Sequence, residues 1–156
     1  MSQLRGTNIV VDTVEAKLNV ISDSGATRTL NENESGSLVL FNRAAGIVYT
    51  LPTAKPGTYF NFAVLTTITS NSAKIITSVG TELLIGGLTS VDTDTANAVA
   101  FFSGNGSTHV AVTMNGTTTG AVLGTKFKVT CLSTTRWMVE GQTFGSGTVA
   151  TPFATS

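Results

Sequence analysis

The chain is poor in charge. Lys, Arg, Asp and Glu together make up 12% of its 156 residues, about half the usual share of roughly 25%. It has one cysteine, one histidine and three prolines. A single cysteine, Cys131, excludes an intrachain disulfide. A lone histidine, His109, has only Cys131 as a soft partner, so a zinc cluster is not expected. No run of Lys or Arg gives the basic patch of a nucleic-acid binder, and the net charge is 0. No window approaches the ~20 apolar residues of a membrane span. The start, MSQLRGTNIVVD, has no apolar stretch suited to a signal peptide. Synthesis in a cytosol without general export is therefore expected, as is the absence of any membrane or nucleic-acid partner.

Catalytic signatures are missing as well. There is no GxSxG elbow, no phosphate loop and no dinucleotide fingerprint. Asp92 and Asp94 open like a calcium loop, but the required glycine and downstream glutamate do not follow. Glu32 and Glu34 sit two apart on a short polar turn, where solvation is the simpler reading. No group fulfils the nucleophile, base and orienter roles of an active site. No enzymatic activity and no cofactor are expected.

What is present is strand-forming sequence. Hydrophobic residues make up 41%, enough for one domain with a core. Thr, Gly, Ser and Asn fill the polar positions and favour strands and turns. The clearest stretch runs from Gly124 to Gly141. Phe127, Val129 and Cys131 alternate with Lys126, Lys128 and Thr130, and Trp137 and Val139 alternate with Arg136, Met138 and Glu140. A period of two marks strands with one buried face. Ser133 to Thr135 supply the turn of a hairpin, and Gly141 ends its second strand. Phe127, Val129, Cys131, Trp137 and Val139 form its core face.

Other strands are expected over 37–42, 46–51, 59–65, 74–78, 82–88, 99–103 and 109–114. Asn105-Gly106 between the last two is a strong hairpin signal. Leu30 plugs the core ahead of one helical turn over 31–35, and Gly36 caps that turn. The sequence contains no tandem repeat of fixed period. Roughly ten strands at turn spacings of about 8–12 residues predict an antiparallel β-sandwich or barrel.

Residues 1–22 differ in character from the rest of the chain. They form an N-terminal arm ahead of a single β domain over 23–156. Ile9, Val10, Val11, Leu18, Val20 and Ile21 are its apolar positions and the candidates for contact with a partner or another subunit. The bland alternative is an ordinary first strand. Carbohydrate binding is a rival function for the whole chain. It would use exposed aromatics, of which Tyr49 and Tyr59 are the freest; the others fit core positions.

Two stretches carry a family resemblance. One runs from Ser24-Gly-Ala-Thr-Arg-Thr-Leu30 through Glu34-Ser-Gly36, Val39-Leu-Phe41, Ala45-Gly-Ile-Val48 and Thr50-Leu-Pro52 to Phe60 and Phe62. The other is Arg136-Trp-Met-Val-Glu-Gly141 followed by Gly147-Thr-Val-Ala-Thr-Pro-Phe153. Together they resemble the head decoration, or cement, proteins of tailed bacteriophages, especially those of cyanophages and marine phages. The resemblance implies a non-enzymatic virion protein on the outer capsid surface. It implies a homotrimer that contacts the major capsid protein, braces neighbouring capsomers and attaches partly through its arm. A receptor- or carbohydrate-binding module of a tail fibre or spike is the alternative.

Overall fold

The computed structural model describes residues 17–94 and 98–156. Among these, twelve strands form two sheets packed face to face. The larger sheet has the order β1 (Val20–Ser22), β3 (Leu38–Phe41), β5 (Tyr59–Val64), β10 (Lys126–Ser133), β11 (Arg136–Gly145), β7 (Leu83–Asp92) and β8 (Val99–Ser103). The smaller runs β12 (Phe153–Ala154), β9 (Ala111–Met114), β6 (Ala73–Ile76), β4 (Val48–Thr50) and β2 (Thr27–Thr29). The sheets do not close into a barrel. Among the described residues the arrangement is sandwich-like and all-β apart from a single 3-10 turn at Glu32–Glu34.

The pairing is not purely antiparallel. The first six strands alternate between the sheets, so β1, β3 and β5 stack in parallel in one while β2, β4 and β6 stack in parallel in the other. The chain thus coils before it turns to hairpins. Stacking brings Ile21, Val39 and Phe62 into one inward row, but the spacing between them is unequal. A coil of variable length leaves no fixed period in the sequence. That inward row continues through Phe127, Gly141, Leu88 and Phe102 across all seven strands.

The hairpin of β10 and β11 has the expected facing. Val129 opposes Val139 and Cys131 opposes Trp137, and all four are buried. Gly141 does not end β11, which continues to Gly145. Its φ is +145°, and a Cβ there would lie 2.5 Å from the Phe127 Cα. Glycine at 141 therefore lets the two strands run closely past each other, so it is a mid-strand device and not a stop.

Asn105-Gly106 also differs from expectation. It joins β8 in the larger sheet to β9 in the smaller, so it makes a crossover and no hairpin. The Asn105 side chain explains this. Its Oδ1 accepts from the backbone N–H groups of Ser107, Thr108 and His109 at 3.0, 2.9 and 3.2 Å. Those donors are satisfied locally and do not form a ladder. The strand expected over 82–88 runs on as β7 to Asp92.

Leu30 is buried, and Gly36 has φ +90° at the end of the short turn. Between the sheets lies an aromatic cluster. Phe41 meets Tyr49 edge-on at 5.3 Å, and Phe62 stacks on Phe127 at 5.4 Å. Tyr49 is fully buried, and its hydroxyl donates to the Leu40 carbonyl at 2.8 Å. Burial, with the Asp23 charge adding to it, pushes its phenol up to about 12.

This shift carries a pH dependence. Below the ordinary tyrosine value of about 10 both folded and unfolded chains keep the proton. Above it the unfolded chain releases a proton that the fold retains. Stability should then fall as pH rises from about 10 to about 12, by ~2–3 kcal/mol in total. Urea unfolding at stepped alkaline pH checks this. Tyr49→Phe should flatten the slope in that window.

Candidate functional site

The solvent face of the larger sheet is built from two outward rows. Asn61, Lys128, Glu140 and Gly87 lie side by side across β5, β10, β11 and β7. Beside them run Ala63, Lys126, Gln142 and Thr89. Alternation fixes this, since the inward neighbours here are buried apolar residues, glycine, or the buried Ser90, Thr125 and Thr143. Asn61, Thr89, Lys126, Lys128, Glu140 and Gln142 surround a shallow depression of about 400 Å³ around Gly141. Tyr59 stands two positions before Asn61 on β5 with its ring partly exposed, and the Lys128 ammonium sits 4.8 Å over that ring. The depression offers amides, a hydroxyl and charges of both signs, a donor and acceptor set suited to polar ligands. Sequence reasoning misses these side chains as a group, although their shared outward phase is visible in the alternation.

Tyr49 does not belong to any such surface. It is sealed in the core, so of the two candidate sugar-stacking aromatics only Tyr59 reaches solvent. The phase of Ile47, Tyr49 and Leu51, all buried, is the sequence signal that places it inside.

Several ionisable groups outside the depression hold the fold together. Glu82 is buried between the sheets' ends, and its Oε1 accepts from the Ala54 N–H at 2.8 Å and the Ser78 hydroxyl at 3.0 Å. Its Oε2 accepts from the Trp137 indole at 3.3 Å. Burial, then the Glu82 charge, pushes the Cys131 thiol up. Its Sγ donates to the Ser133 carbonyl at 3.1 Å. A protonated, buried thiol is a core group and not a nucleophile. Ellman's reagent should therefore leave native Cys131 unmodified and react with it fully once the chain is unfolded. His109 accepts from the Asn105 N–H through Nδ1 and stacks on Phe153 at 5.8 Å. Asp92 accepts from the Asp94 N–H at 3.0 Å, and Asp94 accepts from the Gly147 N–H at 2.7 Å, so both tie loops together. Glu32 pairs with Lys55, and Glu34 pairs with Arg28, which also meets Asp23. Among the described residues, no three His, Cys, Asp or Glu side chains are grouped to hold a metal ion. No helix there is long and apolar enough to cross a membrane.

The candidate contact residues divide. Ile9, Val10 and Val11 lie outside the described residues. Leu18 and Val20 are exposed at 57% and 52%, at the β1 edge of the larger sheet. Ile21 turns inward and is buried in the chain's own core. Val20–Ser22 is thus an edge strand of the domain. Comparison with family models, with curated proteins and with solved structures finds no match for this chain.

Proposed function

We propose that the protein is a non-enzymatic virion component. In this reading it decorates the outer surface of a tailed-phage head, contacts the major capsid protein and braces neighbouring capsomers. The observation that carries the reading is the exposed apolar pair at the β1 edge, where Leu18 and Val20 face solvent next to the N-terminal segment. An exposed apolar edge of this kind suits a protein partner. The ionisable groups named above are engaged in fold-holding bonds, which is consistent with a structural role. The family resemblance supplies the identity of the partner and the threefold association. A cement protein of this kind stabilises the shell by binding the mature lattice in preference to free solution or the immature shell.

The test is occupancy on purified expanded heads. Removing residues 1–18 should lower binding at least tenfold while leaving the fold intact. The deletion has to stop there because Ile21 is core. Unchanged occupancy would sink the proposal.

A second reading has one supporting observation, the exposed Tyr59 ring near the polar depression. It would make the chain a sugar-binding module of a fibre or spike. A glycan-array signal lost in Tyr59→Ala would favour it over head decoration. The Lys128 ammonium over that ring competes for the face on which a sugar would stack.

A further inference from the structure

Among the described residues four strands end the two sheets: β1 and β8 in the larger, β2 and β12 in the smaller. A free edge is a template for pairing with another chain, and proteins blunt such edges with shortness, charge or proline. β1 and β2 are three residues long and β12 is two. β2 also carries Arg28, and Pro152 directly precedes β12. β8 has none of these protections. It is five residues long, Val-Ala-Phe-Phe-Ser. No charged side chain occurs between Asp94 and His109.

Two further features single out β8. Phe101, at 68%, and Val99, at 65%, are the most exposed large hydrophobic side chains described. The Phe101 ring occupies the space that a side chain at 87 would need, since a Cβ on Gly87 would come 2.2 Å from its Cζ. The second feature is the direction of the backbone groups. At the ends of the β7–β8 ladder, Asp92 N–H donates to Ala98 and Gly104 N–H donates to Gly86. Antiparallel alternation then turns the N–H and C=O groups of Val99, Phe101 and Ser103 to the free side.

We infer that β8 is a self-association edge. A second copy adds its own β8 antiparallel about a twofold axis at Phe101, joining two larger sheets into one. The occupant is a second copy because a twofold axis brings the strand onto itself, so that like meets like. A charged strand would repel its twin; an uncharged one does not. In this register Phe101 faces Phe101 of the second copy and Val99 faces Ser103. The contact covers the two most exposed apolar side chains and pairs the outward backbone groups. It is independent of the arm and of any capsid contact, and it is distinct from threefold association.

Sedimentation analysis of the full chain over a dilution series tests the inference. Edge pairing gives an even number of chains, two alone or six if threefold association also forms. Phe101→Lys should halve that number while leaving the circular dichroism spectrum of the folded chain unchanged, because the side chain is mostly solvent-exposed. Phe101→Cys is the second test. The two Cα atoms would lie about 5.5 Å apart across a hydrogen-bonded antiparallel pair, within disulfide range. Mild oxidation should then link two chains covalently, with buried Cys131 taking no part. A single chain or an odd number in the wild type, a mass unchanged by Phe101→Lys, or no covalent pair would overturn the inference. Head occupancy is a separate readout, so this result stands apart from the decoration reading.

Discussion

Glu82→Ala should lower stability by about 3–5 kcal/mol, the largest loss expected from a single polar residue. The reason is the number of donors left behind. Ala54 N–H, the Ser78 hydroxyl and the Trp137 indole all converge on this one carboxyl group. A buried donor without an acceptor costs about 1–3 kcal/mol. Three donors relax unequally, since the Ser78 hydroxyl can rotate and the indole cannot. Glu82→Gln should lose less, about 1–2 kcal/mol, because an amide oxygen can keep the two Oε1 bonds while its NH₂ faces the indole N–H. For a domain of this size ~1 kcal/mol moves the thermal midpoint by about 2–4 °C. Trp137, the only tryptophan, is fully buried beside this group. Its fluorescence therefore follows unfolding directly. Equal midpoints for Glu82→Ala and wild type would show that the cluster contributes nothing.

Phe62→Ala should cost a similar amount for a different reason. Phe62 lies at the centre of the aromatic cluster, with ring centroids 6.0 Å from Phe41, 6.2 Å from Tyr49, 6.5 Å from Phe60 and 5.4 Å from Phe127. It also occupies the inward row that crosses every strand of the larger sheet. Deleting a buried phenyl group removes transfer energy and leaves a cavity, together about 3–5 kcal/mol. The neighbours come from both sheets and cannot close the gap without moving strands. Phe62→Leu should recover part of the loss, since it keeps most of the volume. Urea titration with the Trp137 signal measures both. A cost under about 1 kcal/mol for Phe62→Ala would mean that the sheets repack freely, contrary to a rigid core.

The two effects differ in how far the sequence foretold them. Phe62 was legible because its strand alternates strictly, with Phe60, Phe62 and Val64 on one side. The hairpin of β10 and β11 was legible for the same reason, because strand, turn and strand are contiguous. Glu82 was not. Its partners come from positions 54, 78 and 137, and nothing near it in the chain announces three donors. The coil was hidden by its unequal spacing. Parallel pairing of β1, β3 and β5 is a long-range choice that local alternation does not encode. Asn105-Gly106 has the form of a hairpin turn, but its side chain satisfies the donors that a hairpin would have paired. The outward polar face around Gly141 was encoded in the alternation of Lys126, Lys128 and Glu140. Its width across four strands emerged only with the register.

We propose a place for this chain on the outside of a phage head. Antibody-gold labelling of intact virions that carry the protein tests it most directly. Gold spread over the head surface is the expected result. Gold confined to the tail or fibre tips, or intact virions without label, would contradict it.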